Sequence, residues 1–371
     1  MNRVDIVHAM NSDYGRRNLY GARSAYIARA VPRSMTLLVY CRKVDPESYR
    51  PDNVRTNRIS MSFRYRVRRS LMSMAGSTKG KRRTSWRGFD VLTSQDLSRL
   101  DSGTIKIFHS WEWMPETYTV IRQKHPNACI IRDVTVARRF EYRSGEDMLK
   151  EAGIVDRFLS PSDYVTKCLR EWGIPDSQIV AVPFGVDTKT FRPAQSREDK
   201  PVRFAFAGKV SDRKGVPKLL STWKRLELSE AELHLYGTVA PEIKEMIPGI
   251  AGVHTHGFVD LTKELAKNHV FVFPSPFEGS SKSVFEALAC GLPVITTPNS
   301  GSVVRNGMDG LLIEPEDEEA LGSAIKLLLD DRQLREKMGA RARLRAENFT
   351  WDVYARRVWE TYASLMKLKT D

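Results

Sequence analysis

A chain of 371 residues is long for one core and suits two domains with a cleft between them, the arrangement in which α/β enzymes hold ligands. An apolar fraction of 41% with no run of membrane-spanning length argues against a helical membrane protein; Cys41, Cys129, Cys168 and Cys290, widely spaced and without a Cys-x-x-Cys pair, argue against a disulfide framework or zinc ribbon and read as buried thiols. The net charge of +14 is concentrated: Asn53 to Phe89 holds no acid and eleven cations (Arg55, Arg58, Arg64, Arg66, Arg68, Arg69, Lys79, Lys81, Arg82, Arg83 and Arg87), so 14 less these 11 leaves +3 elsewhere and points to an anionic partner at one place.

Met1 to Ala9 contains Asp5 and no signal-peptide core, so a cytoplasmic protein is expected. Val4 to Ala9 reads as a first strand and Gly21 to Val31 as a helix with Ala22, Ala25, Ile27, Ala28 and Val31 available for packing. Between them, Asn11 to Gly21 is a strand-to-helix loop. Met35 to Cys41 is a second strand. The basic segment follows, and its first half fits two templates: Ile59, Phe63, Val67 and Leu71 at helical spacing, or Ile59, Met61, Phe63, Tyr65 and Val67 alternating as in a strand. Its second half, Gly76 to Ser85, reads as a loop.

Phe89 to Thr93 and Thr104 to Phe108 look like strands, the second delivering His109 to its carboxyl end, where it is expected to face a crevice. Trp111 and Trp113 suit either an acceptor platform or the core. Ala128 to Arg132 is a further strand, ending at Asp133, a second crevice candidate. Arg157 to Pro161 and Ile179 to Pro183 complete the first array around a helix from Ser162 to Trp172, and Gln195 to Lys200 reads as a linker.

Val202 to Ala207 is a strand running into Gly208-Lys209-Val-Ser-Asp-Arg213-Lys214-Gly215. Two glycines and three cations at a strand-to-helix turn can wrap a diphosphate, because glycine admits close backbone approach and the cations neutralise the ligand. Glu232 to Gly237 and Val253 to Gly257 are the next strands. Val270 to Phe273 is a buried strand that Pro274 and Pro276 end; a loop then leads to a helix reaching about Cys290, with Ser280, Ser281 and Ser283 as N-cap hydroxyls and Gly291 as its stop, before a strand from Pro293 to Thr297. Such a strand-loop-helix-strand unit in a parallel sheet places the loop and helix N-terminus at the carboxyl edge, where free amides favour a phosphate-bearing ligand. Glu278 on the loop and Glu286 eight residues later in the helix can face one crevice. Gly310 to Ile313 is a last strand, helices follow from Glu316 to Leu329 and Arg332 to Glu347, and Phe349-Thr-Trp-Asp352 opens a terminal helix whose apolar face is Val353, Val358, Tyr362 and Leu365.

Pro-x-x-x-Glu278-Gly, Glu286-Ala-Leu-Ala, Gly291-x-Pro-Val, Gly208-Lys209 with Lys214, Gly257-Phe258-Val-Asp and Gly185-Val-Asp187 resemble the retaining glycosyltransferases of family 4, and the resemblance is tightest from about Arg203 to Tyr362. It implies the α/β GT-B fold: two Rossmann-like, doubly wound domains facing a central cleft, with residues 1–195 binding acceptor, 201–349 binding donor and 350–371 returning as a helix to the first domain. It also implies transfer of a sugar from a nucleotide diphosphate donor, with retention, to a glycan or lipid-linked acceptor in polysaccharide or glycolipid synthesis. On this reading Lys209, Lys214 and the amides near Ser283 and Val284 stabilise the departing phosphate, with Arg213, Gly208, Ser281 and Gly21 beside it. Glu286 accepts from the ribose hydroxyls, Phe258 lies by the base, Glu278 orients the sugar and His109 touches it from the other domain. Neither cofactor nor metal is then needed, and no nucleic-acid partner is expected. The chain departs from the family pattern at Tyr20, Phe184 and Ser280-Ser281-Lys282. A nucleotide-sugar epimerase and a basic nucleic-acid-binding protein are the alternative readings, and the basic segment 53–89 is expected to lie against an anionic membrane on its inner face.

Overall fold

The computed structural model describes residues 4–10, 12, 19–45, 50–59, 78–134, 145–198 and 201–367. Short runs of apolar and β-branched residues form strands β1 (Ile6–Ala9), β2 (Leu37–Cys41), β3 (Val54–Arg58), β4 (Ile107–Ser110), β5 (Cys129–Asp133), β6 (Arg157–Ser160) and β7 (Ile179–Ala181). Among the described residues these make a seven-stranded sheet in the order β3-β2-β1-β4-β5-β6-β7, parallel throughout. Strands β8 (Val202–Ala207), β9 (Ala231–Tyr236), β10 (Val253–Gly257), β11 (Val270–Phe273), β12 (Val294–Thr296) and β13 (Gly310–Leu312) repeat the pattern in a second parallel sheet, ordered β10-β9-β8-β11-β12-β13. In both, the order reverses beside the first strand, so the crevices open beyond β1/β4 and β8/β11.

The helices are α1 (Leu19–Ala30), α2 (Thr78–Leu97), α3 (Pro115–Lys124), α4 (Gly145–Ala152), α5 (Asp163–Glu171), α6 (Val216–Leu226), the short α7 (Pro241–Lys244) and α8 (Leu261–Glu264), α9 (Lys282–Ala289), α10 (Glu318–Asp330), α11 (Arg332–Glu347) and α12 (Trp351–Lys367). Period-two alternation divides the first sheet. Val7, Ala9, Phe108 and Ile130 join a core with Phe89 and Leu97 of α2 and Tyr118 and Ile121 of α3. Ile6, Ile107, Cys129 and Ile131 face the other way, into a core shared with Ile27 and Ala28 of α1, Tyr354, Val358 and Tyr362 of α12, and the second domain.

Helix α2 overturns two expectations. From Thr78 onward the presumed loop is helical, and the presumed strand from Phe89 to Thr93 lies inside the same helix. Among its described side chains Phe89, Asp90, Thr93, Ser94 and Leu97 are buried, which is helical spacing. Buried Asp90 then accepts from the Glu116 and Thr117 amides (3.1 and 2.9 Å), capping α3 from a distant part of the chain. Val54–Arg58 is a strand on β2, whereas residues 60–77, where the helix-or-strand ambiguity fell, lie outside the described residues. The expected linker is held at its start: Arg197 donates to the carbonyls of Ala266 (2.9 Å) and Cys290 (3.0 Å).

Two chain passages join the domains and are hydrogen-bonded to each other, Val186 N donating to Phe349 O at 2.9 Å. Arg343 reinforces them by donating to the carbonyls of Thr188, Phe191 and Ala289. The four cysteines are free and buried, as their spacing suggested. Among the described residues no helix is long and apolar enough to cross a membrane.

Candidate functional site

The crevice of the second sheet is built from the loops after β8 and β11. Gly208 ends β8 with φ 144°, a backbone conformation that L side chains rarely adopt. Lys209 is exposed, and Asp212–Lys214 form one 3-10 turn ended by Gly215 at φ 73°. A β-carbon on Gly215 would collide with the Pro274 carbonyl, so glycine is what lets the two loops touch. The β11 loop is fixed from below: Thr296 donates to Phe273 O (2.7 Å), Thr297 to Ser275 O (2.5 Å), and Glu278 N to Asn299 O (2.8 Å). It is also held from the first domain, because Ser162, the N-cap of α5, donates to Gly279 O at 2.7 Å.

These constraints bring Glu278 onto two of the three cations of the β8 loop. Arg213 Nη1 donates to Glu278 Oε1 at 2.6 Å and Lys214 Nζ donates to the same oxygen, while Oε2 has no partner among the described residues. Burial lowers the Lys214 pKa and the Glu278 carboxylate opposes that shift. The Ser280 hydroxyl, next but one along the loop, is buried without a hydrogen-bond partner among the described residues.

Glu286 sits in the second turn of α9 at 4% exposure. Burial raises its carboxyl pKa, and Lys282, one turn earlier with Nζ 3.0 Å from Oε1, acts in the opposite direction. The lysine that interrupts the family pattern is therefore an ion-pair partner rather than a purely solvent-facing side chain. Ser281 is the N-cap of α9 without a side-chain cap bond; its hydroxyl lies 3.3 Å from that of Ser283. The expected amide of Val284 is already committed, donating to Ser281 O at 3.1 Å, so the first turn offers ligand its earlier amides instead. Phe258, just past β10, is 91% exposed. Gly21 falls in the first turn of α1, and the loop before it, residues 11 and 13–18, lies outside the described residues.

His109 does not face the crevice. It is a strand residue of β4, paired in register with His8 on β1, and both point toward the face covered by α1 and α12. His109 is fully buried, with Nδ1 2.6 Å from the Tyr362 hydroxyl and Nε2 3.2 Å from Asp133 Oδ2. An ionised Asp133 only accepts, so Nε2 carries the proton and Tyr362 donates to Nδ1. Asp133 is likewise buried, and Arg23 donates to it at 2.6 Å. Burial alone would raise the Asp133 pKa, but Arg23 and the two histidines outweigh it and hold the carboxyl well below its usual range. The His8 ring, stacked 4.6 Å from His109, is kept neutral by burial. Phe184 and Trp111 sandwich the Arg23 guanidinium at 4.3 and 4.6 Å, which accounts for an aromatic residue at 184 and places Trp111 in the core.

Residues 201–331, which span both crevice loops, match the family described as Glycosyl transferases group 1. The match takes in strands β8 to β13 and helices α6 to α10. Across a wider stretch, the MMP alpha-(1->4)-mannosyltransferase of Mycolicibacterium hassiacum is 31% identical over 218 residues, 55% of this chain and 51% of the relative. The chain spans about half the length of the curated relatives it matches. Sucrose-phosphate synthase of Thermosynechococcus elongatus matches the whole fold with a TM-score of 0.74 at 21% identity, over 99% of this chain and 100% of that one. HepE of Anabaena, solved in complex with UDP and glucose, matches with a TM-score of 0.68 at 15% identity, over 97% and 100%. The fold is GT-B, and Arg213, Lys214 and Glu278 meet beyond β8 and β11 of its second sheet.

Proposed function

We propose that the protein is a glycosyltransferase that moves a sugar, with retention and without a metal, from a nucleotide diphosphate donor to a glycan or lipid-linked acceptor. The observation that carries this reading is the meeting of Glu278, Arg213 and Lys214 at the switch point of the second sheet, beside the N-terminus of α9 and Glu286. The relatives reported above are named as transferases or synthases, and HepE was solved with UDP and glucose, which favours transfer over epimerisation or nucleic-acid binding.

In the reaction the bond from the anomeric carbon to the β-phosphate oxygen breaks and its electron pair stays on the phosphate; the acceptor oxygen bonds the same carbon on the same face, its O–H bond breaking as the proton passes to the departing phosphate oxygen. Lys209, Arg213, Lys214 and the first amides of α9 neutralise the charge that develops on the phosphate. A diphosphate draws Arg213 and Lys214 partly off Glu278, whose free Oε2 then accepts from the sugar hydroxyls. Glu286, released by Lys282, accepts from the ribose. His109 makes no sugar contact in this scheme; it ties the first sheet to α12. A thermal-shift panel of nucleotide sugars tests the reading: at least one raises the Tm of the wild type but not of Glu286→Ala. A flat panel contradicts it. Turnover that survives exhaustive chelation is the further expectation, and loss of turnover on chelation would contradict metal independence.

The basic segment supplies the acceptor side. Arg55 and Arg58 of β3 and Arg87 of α2 are exposed, and the first turns of α2 carry Lys79, Lys81, Arg82 and Arg83. We propose that the basic segment 53–89 adsorbs to anionic lipid on the cytoplasmic side, each cation adding about 1 kcal/mol. Co-sedimentation with anionic but not neutral vesicles, abolished when Arg64, Arg66, Arg68 and Arg69 become Gln, is expected; binding that ignores lipid charge contradicts it.

A further inference from the structure

Away from the donor loops, the second sheet carries a cluster that the transfer reaction does not use. Alternation puts Glu232 and His234 of β9 and His254 and His256 of β10 on one face, and the parallel register sets His234 directly beside His254. Glu232 Oε2 lies 3.0 Å from His234 Nε2, and Glu232 Oε1 lies 3.6 Å from His254 Nε2. One ligand atom from each of the three side chains falls within 4.8 Å of the others. We propose that Glu232, His234 and His254 bind a borderline divalent transition-metal ion such as Zn2+, clamping the edge strand β10 to β9.

The spacing suits the ion. Ligands about 2.0 Å from a tetrahedral centre stand roughly 3.3 Å apart; the two glutamate–histidine separations, one from each carboxylate oxygen, bracket that value, and the three ligand atoms lie within 4.8 Å of one another. Two imidazoles and a carboxylate favour Zn2+ over Mg2+ or Ca2+, and a fourth position is left for water. His256 supplies the outer support. Its Nε2 is 2.9 Å from His234 Nδ1, so when His234 Nε2 holds the metal, Nδ1–H donates to His256 and fixes the ring. Arg203, with Nε 3.6 Å from Glu232 Oε2, stays outside as a counterion to that carboxylate. The cluster lies on a sheet face, His234 and His254 each three residues before the glycines that end their strands at the crevice, so the ion braces the domain and takes no part in transfer.

The test uses the full chain without a histidine tag, stripped with chelator and titrated with Zn2+, with Co2+ as the spectroscopic probe. Saturable uptake of about one equivalent, a tetrahedral Co2+ visible band and a metal-dependent rise in Tm are expected. His254→Gln, an exposed position, and Glu232→Gln should each weaken uptake by about tenfold or more, as ligand loss requires, while the metal-free Tm of His254→Gln matches the wild type. Absence of saturable uptake by the wild type overturns the proposal, and so does uptake that both variants retain. Donor binding and turnover of the wild type remain unchanged after chelation, which separates this site from the transfer reaction.

Discussion

The two sheets have the same strand order, yet their polar clusters serve different ends. In the second, Arg213, Lys214 and Glu278 lie on loops beyond the strand ends, where the crevice opens. In the first, His8, His109 and Asp133 belong to the strands themselves, point to a sheet face and are covered by Arg23 of α1 and Tyr354 and Tyr362 of α12. Nearness to a carboxyl edge therefore does not make a residue a ligand contact. Whether it lies past the last ladder pair, and what packs over it, decides between reactive site and buried brace.

Breaking the brace should have the largest effect. Asp133→Asn removes the Asp133 charge that the buried Arg23 guanidinium and His109 are bonded to and should destabilise the fold by about 3 kcal/mol or more in denaturant titration, with donor affinity per folded molecule unchanged. Because the native Asp133 pKa is held below its unfolded value, its contribution is present above the unfolded pKa and is lost as pH falls through the native one. Acid unfolding of the Asn variant should accordingly show a shallower pH dependence. Wild-type stability in Asp133→Asn would remove the distinction drawn between the two edges.

On the open edge the order reverses. Glu278→Gln should lower kcat by about a hundredfold while changing donor affinity much less, since the proposed contact is to the reacting sugar; steady-state kinetics with full turnover would exclude that role. Glu286→Ala should weaken nucleotide-sugar binding by about 1–3 kcal/mol, read by calorimetry. On the proposed mechanism the ribose is bound by the ionised carboxylate, and burial raises this pKa, so wild-type affinity should fall on acidification at a higher pH than an ordinary carboxylate would give. Glu286→Gln should lack that acid limb, and an identical pH profile would place the titration elsewhere.

What could be read from the residues follows the same division. Val270–Phe273 and Arg332–Glu347 coincide with the expected strand and helix because each is decided by local pattern. Glu278 and Lys214 are 64 positions apart and were linked only through their resemblance to a family; nothing local joins them. His109 was misplaced because its parity on β4 and the covering α12 are tertiary facts. Helix α2 was misread because Phe89-Asp-Val-Leu-Thr93 imitates a strand, while the cap its Asp90 provides to α3 is invisible in one dimension. Ser280 reads as an N-cap hydroxyl and Ser162 as a helix start, but the bond from Ser162 to Gly279 joins distant parts of the chain and has no local signal. Glu-x-His at 232–234 and His-x-His at 254–256 did carry one, since alternate positions share a strand face, but the register that joins them is not local.

On the proposed mechanism the β8 loop of the second sheet holds the donor's diphosphate. Calorimetric titration of the wild type and the Lys209→Ala/Lys214→Ala double variant with a nucleoside diphosphate and with the matching free nucleoside tests it most directly. The double variant should lose about tenfold or more in diphosphate affinity while its nucleoside affinity stays near that of the wild type. Equal losses for both ligands, or no loss for the diphosphate, would contradict the account.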